Sequence, residues 1–360
     1  MGNQDFHNKK FADSTKVKLE LFRLYIREWL PVFLCTPHVE RLVIYDYFCG
    51  SGCDNCNTPG SPIILLDELK RAFRTLINIP GFNPSRPIHI FFNDKDSQKI
   101  SELKSRIPSA LPSNVKITIS SDSFRDKYQE SKAYLKCNKT ACFLLIDQFG
   151  LKHFTTEVFK EVASAPMTDW ITFCSSSQAR RFAQSECFSH IPSAVFSDHT
   201  NAHRDLAQAY RAELPVNKKY FTVPFSLKSG SNIYGLLFGS AHELGAEKFI
   251  RGCWKVDKVT GESNYYQQTR SVASLLDYTN YESPRIQTFK RELEYEILNE
   301  KLRTNEDVYH FCLQNGFLNK HAKSVIDNLK KNKKLAKGRV LLSYESICKK
   351  KRIEALRLLK

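Results

Sequence analysis

The sequence predicts an α/β fold: a doubly wound, mostly parallel seven-stranded sheet with an antiparallel edge hairpin, followed by a small basic α+β module of winged-helix-like form. Three observations predict it. Short, nearly continuous apolar runs recur along the first two thirds of the chain, as strands buried on both faces require. Helical patterns separate several of these runs, which implies right-handed crossovers between parallel strands. Positive charge gathers at the far end: residues 319–360 hold 14 Lys or Arg against 3 Asp or Glu, in a chain of 360 residues with net charge +16.

Over residues 15–33, Leu19, Phe22, Ile26, Trp29, Leu30 and Phe33 recur at three- and four-residue steps with Lys and Arg between them. That spacing predicts an amphipathic helix, which Pro31 is expected to kink or close. Strands are expected at LVIYDYF (42–48), IHIFF (88–92), VKITI (115–119), CFLLI (142–146), WITFC (170–174), KYFTVPF (219–225) and NIYGLLF (232–238). Helical patterns cover 62–76 and 97–107. In PGSP, serine is a favoured N-cap and proline suits the first helical position. The last two strands are joined only by a turn around Ser229-Gly230-Ser231, so they should pair antiparallel.

Periodicity fades over 259–287, read as a linker between a sheet domain (1–258) and the basic module (288–360). Within the module, helices are expected at 288–302, 306–314 and 319–331, with Gly316 breaking the latter two. KGRVLLSY (337–344) reads as a β-wing and ESICKKKRIEALRLLK as a closing basic helix. Helix 319–331 then takes the recognition position of a winged helix.

The longest apolar runs fall far short of a membrane span, so no membrane partner is expected. The N-terminus, MGNQDFHNKK, lacks the apolar core of a secretory signal, so the expected compartment is the cytoplasm. Eleven cysteines, an odd count without such a signal, argue against a disulfide framework. The basic C-terminus favours a polyanion, most simply nucleic acid, with Lys320, Lys323, Lys330, Lys331, Lys337 and Arg339 as phosphate contacts. A winged helix that binds protein instead is the alternative. Tyr309, Phe311 and Phe317 read as the core of the module.

Chemistry concentrates where strands end. Past the first strand, Gly50 and Gly52 allow a sharp turn and close approach of backbone to a ligand. Asp46 ends that strand, within reach of loop amides or a cationic ligand group. FFNDKD puts Asp94 where a carboxylate can accept from both hydroxyls of a ribose. ISSDSF puts Asp122 where it can accept from an adenine amino group, and IDQFG puts Asp147 at the fourth strand end, facing a substrate. Each aspartate alone could be a helix N-cap; the constellation carries the inference. The same glycine loop, CGSGCDNC, also spaces Cys49, Cys53 and Cys56 as C-x3-C-x2-C, the spacing of three thiolates on a four-iron cluster. No second C-x2-C or H-x3-H follows to complete a zinc site. One loop cannot serve both purposes, and the thiol spacing is read as incidental, with iron–sulfur or radical chemistry kept as a minor alternative.

The four strand ends resemble the layout of class I S-adenosylmethionine-dependent methyltransferases, whose sheet is Rossmann-like. In order along the chain stand TKVKLELFRLYIREWLPVF, IYDYFCGSG, PGSPIILLDEL, FFNDKD, SDSF, LLIDQFGLK, YGLLFGSAHELG and CWKVD. Over roughly residues 13–260 these resemble the three-Cys-motif partner family (TcmP), companions of a protein that itself carries a three-cysteine motif. The resemblance implies S-adenosylmethionine as cofactor, held by Asp46, Phe48, Gly50 and Gly52, with Asp94 at the ribose and Asp122 at the adenine. It implies catalysis at Asp147, Gln148 and Phe149, where the family shows Asp-Pro-Phe-Gly. There an amino acceptor would hydrogen-bond to the carboxylate and a backbone carbonyl. Gln148 replaces the proline, which keeps open a second reading: a non-catalytic adaptor that retains the fold.

Overall fold

The computed structural model describes residues 10–147, 153–175, 202–229, 232–262 and 282–359. The chain divides into two compact units, Met1–Ala241 and His242–Lys360.

The first unit opens with α1 (Asp13–Cys35), whose Phe22, Tyr25 and Trp29 pack on Phe143 of the sheet. Pro31 lies inside it without ending it. The helix runs one further turn, and Arg86 donates to the Phe33 carbonyl near its end. Then follow β1 (Arg41–Asp46), α2 (Ser61–Leu76), β2 (Ile88–Asn93), α3 (Ser97–Arg106), β3 (Val115–Ser120), α4 (Phe124–Leu135), β4 (Thr140–Ile146), α5 (Thr156–Ser164), β5 (Thr168–Ser175), α6 (Ala202–Ala212), β6 (Phe221–Ser229) and β7 (Asn232–Ser240).

The strands form one seven-stranded sheet in the order β3-β2-β1-β4-β5-β7-β6. The first five pair parallel, whereas β7 pairs antiparallel with both β5 and β6. This is the expected doubly wound sheet with its edge hairpin. The hairpin enters by its second strand, so β6 is the outer edge. The side chain of Trp170 on β5 lies against Gly239 of β7, where an added Cβ would come within 2.0 Å of the indole. Its N–H donates to the Tyr220 hydroxyl at 2.8 Å. Strand order reverses between β1 and β4, and the carboxyl ends flanking that point are where ligands enter sheets of this kind.

The second unit holds α7 (Glu243–Val256), α8 (Pro284–Leu298), α9 (Asn305–Gln314) and α10 (Asn319–Lys331). Helix α7, placed with the sheet domain by its sequence, belongs here: Tyr309 donates to its Glu247 at 2.6 Å, and Trp254 packs on Phe317 and His321. Phe289 and Phe317 stack at 3.9 Å, with the Arg285 guanidinium 4.3 Å from the Phe317 ring and paired to buried Glu262 at 3.4 Å. Tyr309 and Phe317 are core, as expected, and Phe311 stacks on Phe289. Burial pushes His321 down to about 4, so it stays neutral within this cluster.

Two expectations fail beyond α10. Residues 337–344 form no strand, and the closing segment is helical only over Glu345–Lys349. The wing is built from residues farther apart. Leu335 bridges Leu358 and Thr304 bridges Ala355, with Leu356 donating to the Arg303 carbonyl at 2.7 Å. Leu356 and Leu358, two residues apart, are both partly covered while their neighbours are exposed. That period-two alternation suits a strand and outweighs the apolar spacing that suggested a helix.

Candidate functional site

The crevice at the carboxyl ends of β1, β2 and β4 gathers Asp46, Asp94 and Asp147. Asp46 is buried at the end of β1; its Oδ2 accepts from the Ser61 hydroxyl at 2.6 Å and its Oδ1 from the Phe48 amide at 3.4 Å. Ser61 is therefore the first residue of α2 and a partner of Asp46, whereas Gly60 is the N-cap. Burial pushes Asp46 up to about 7; repulsion from Asp147 and Asp94 adds to this, and the bonds from Ser61 and Phe48 only partly oppose it.

The glycine loop folds as its sequence predicts. Gly50 and Gly52 have φ of 63° and 86°, conformations costly for other residues. The Gly50 amide donates to Asp94 Oδ2 at 3.0 Å, joining the β1 loop to the end of β2. Arg106 of α3 donates to the Ser51 carbonyl at 2.6 Å and braces the same loop from behind.

The residues after Gly52 form a closed excursion. The Gly60 amide donates to the Gly52 carbonyl at 2.7 Å, and Cys53 bridges Pro59. Asp54 organises the turn: it accepts from Cys56 and Thr58 at 2.9 and 2.7 Å, and from the Phe11 amide at 2.8 Å. A role for Asp54 was missed by the sequence reading, although an aspartate followed by Asn and a left-handed Asn57 is an Asx-turn pattern. The three cysteines are not gathered. Cys49 is buried with its thiol pushed up by burial, Cys53 is half-buried and Cys56 exposed. Among the described residues no group of three His, Cys, Asp or Glu is placed to hold a metal.

Asp122 stands apart from the other carboxylates. It is exposed and paired with Lys127 at 3.0 Å, whose hydrogen bond holds it below its ordinary range. Its backbone is fixed by Asn93 at the end of β2, which accepts from the Asp122 amide at 2.9 Å and donates to its carbonyl at 3.0 Å. Beside it, Phe48 and Phe124 are nearly parallel at 5.8 Å, and the His153 ring lies 5.6 and 5.1 Å from them. The sequence singled out Phe48 and missed Asn93, Phe124 and His153.

Asp147 meets a partner that the sequence did not announce. Lys18 of α1 pairs with its Oδ2, and the same ammonium lies 5.0 Å from the Phe173 ring centroid. Gln148 and Phe149 lie outside the described residues.

In the second unit, Lys320, Lys323, Lys331, Lys337 and Arg339 are exposed. Lys320 also lies 5.7 Å from the Trp254 ring centroid, and half-buried Lys330 donates to the Gly338 carbonyl at 2.6 Å. No helix among the described residues is long and apolar enough to cross a membrane.

A sequence family described as a GMT-like wHTH domain matches residues 262–337. No curated protein matches the chain. Among solved structures, the chain is similar to EvdMO1 at 14% identity and TM-score 0.32, covering 69% of this chain and 46% of that one. It is also similar to Trm1 from Pyrococcus horikoshii in complex with S-adenosyl-L-methionine, at 10% identity and TM-score 0.35, covering 71% and 62%. A third is the O-methyltransferase TomG from Streptomyces achromogenes in complex with SAM, at 11% identity and TM-score 0.32, covering 66% and 98%. The chain spans less than two thirds of the first two.

Proposed function

We propose that the sheet unit binds S-adenosylmethionine and transfers its methyl group to an acceptor presented by nucleic acid or by a partner protein. The observation that carries this reading is the bond from the Gly50 amide to Asp94. It ties the glycine loop, which follows β1 at the switch point, to the acidic end of the neighbouring strand β2, leaving a carboxylate at the mouth for ribose hydroxyls. Asp46 supplies negative charge beneath the loop, suited to a cationic cofactor. Phe48 and Phe124 offer ring faces beside Asp122 for the adenine. Catalysis would rest chiefly on alignment of acceptor with sulfonium, with Asp147 accepting from the acceptor N–H and Gln148 and Phe149 completing that loop. The basic second unit would hold the nucleic acid, with Lys320, Lys323, Lys330, Lys331, Lys337 and Arg339 at phosphates. The resemblance of the sheet unit adds a three-Cys-motif protein as the candidate partner.

A second reading, a non-catalytic adaptor on the same fold, is favoured by two observations: Gln148 in place of the proline, and Lys18 already occupying Asp147. Calorimetric titration with S-adenosylmethionine separates the two. Binding that is lost in Asp94→Ala and Gly50→Val is expected. Absence of binding, or binding indifferent to both substitutions, sinks the cofactor reading.

A further inference from the structure

The wing of the second unit is longer than the sequence suggested. Its two sides meet where the Ala336 amide donates to the Arg357 carbonyl at 2.8 Å and the Leu359 amide to the Lys334 carbonyl at 3.0 Å. Between them the chain makes a long excursion that is pinned at several points. Lys330 holds the Gly338 carbonyl, and Asn319 donates to the Leu342 carbonyl at 3.1 Å. The excursion therefore runs alongside α10, from near its C-terminal end to its N-terminus. Asn305, fully buried, closes the base. Its side chain donates to the Leu341 carbonyl at 2.8 Å and the Arg352 carbonyl at 2.9 Å, and accepts from the Glu354 amide at 2.8 Å. Leu342 and Ile347 are buried beneath it. This segment is a built loop, and it presents Lys337, Arg339, Lys349, Lys350, Lys351 and Arg352 exposed at its surface. Of its two acids, Glu354 is half-buried, and Glu345, exposed, offsets Lys349 and Lys350 in part, at 3.3 and 3.4 Å.

Helix α10 is differently made. Lys320 lies over the Trp254 ring, Lys330 is spent on the wing, and the exposed face between Lys323 and Lys331 carries Ser324, Asp327 and Asn328. An acid in mid-face disfavours phosphate, whereas Ser and Asn suit the edges of bases.

We infer that the wing loop, and in particular Lys349–Lys350–Lys351–Arg352, is the main phosphate-binding surface of this unit, and that its ligand is the backbone of a nucleic-acid duplex. The inference rests on the nucleic-acid part of the proposed function and moves its centre from α10 to the wing. Ordering of the loop by Asn305 and Asn319 means that the cations are held in place before a ligand arrives, so little ordering is required on binding.

The test uses the full-length chain and three probes: a 24-base-pair DNA duplex, the RNA duplex of the same sequence, and a single strand. Affinity is measured against salt for the wild type, for the fourfold variant K349Q/K350Q/K351Q/R352Q, and for K323Q/K331Q. Each phosphate contact contributes about 0.9 to the slope of log affinity on log salt for B-form DNA. The fourfold variant is expected to lower the slope by roughly 2–4. Between 50 and 200 mM salt that reduces the wild type's affinity loss by about 16- to 250-fold. K323Q/K331Q is expected to lower it by less than half as much per charge removed. An unchanged slope in the fourfold variant, or an equal effect per charge from the helix pair, overturns the inference. Retention of one duplex over the other identifies the source of the backbone; retention of the single strand alone overturns the duplex assignment. If the wild type retains no probe, this inference falls together with the nucleic-acid part of the proposed function. Calorimetry with S-adenosylmethionine still reads the cofactor part by itself.

Discussion

Asp46 can be tested through its titration. It is 2% exposed at the end of β1, in a crevice shared with Asp94 and Asp147, and burial with those neighbours pushes it up to about 7. An unfolded aspartate titrates near 3.9. The folded value is the higher one, so the folded chain binds the extra proton between the two. Its stabilising contribution is complete below about pH 4 and is lost as pH rises through 7. The gap corresponds to at most about 4 kcal/mol, fully expressed above pH 8. Asp46→Asn cannot ionise. Relative to the wild type it should gain stability steadily from pH 5 to pH 8, whatever constant offset its altered bonds to Ser61 and Phe48 introduce. Urea unfolding in a Trp254→Phe background reads the sheet unit alone, because the remaining tryptophans, Trp29 and Trp170, both lie there. A cationic cofactor favours the ionised carboxylate, so affinity for S-adenosylmethionine should fall below pH 7 in the wild type, by at most about tenfold per pH unit, and less in Asp46→Asn. Parallel stability curves for the two proteins across this range would refute the reasoning.

Three further outcomes are expected. Gly52→Ala puts a Cβ 2.8 Å from Leu103 Cδ1 at a φ of 86°. It should cost about 1–2 kcal/mol in urea midpoint and weaken the cofactor; an unaltered midpoint contradicts the loop geometry. A double-mutant cycle of Lys18→Met with Asp147→Asn should give a coupling of about 1–2 kcal/mol, since both groups are largely covered. Independent, additive effects would remove Lys18 from the site. Asn305→Ala takes the fully buried partner away from the Leu341 and Arg352 carbonyls and the Glu354 amide. It should cost about 2–3 kcal/mol and raise hydrogen exchange over 341–354. Exchange that stays at wild-type rates there rejects Asn305 as the base of the wing.

Much of the sheet unit was legible because its signals are local. The runs around Val43, Ile90 and Phe143 are buried on both faces, and an apolar run bounded by helical patterns has few other readings. The same holds for Gly50 and Gly52, whose loop geometry follows from chain chemistry at two positions. The partners of the strand-end carboxylates were not legible. Lys18 lies 129 residues from Asp147, on a helix whose apolar stripe accounts for its pattern without reference to that lysine. Ser61 looked like a cap because it precedes a proline, and only the fold brings Asp46 within reach. Asn93 was overlooked between two more conspicuous residues, Phe92 and Asp94. In the second unit the wing was misplaced because VLLSY is β-like as a segment. The actual ladder is made by single bridges separated by a long excursion, and sequence periodicity is blind to pairs so short.

The excursion after Gly52 has a use of its own. Its two ends meet in the Gly60–Gly52 hydrogen bond and the Cys53–Pro59 bridge, and its turn is knotted by Asp54. What happens at the tip, around Asn55 and Cys56, is thereby insulated from the glycines that face the crevice. The tip is a natural graft point: a label, an epitope or an affinity handle introduced there would ride beside the glycine loop without altering its shape. Labelling would be direct at the exposed thiol of Cys56, turning the cysteine run into a place to watch the crevice from.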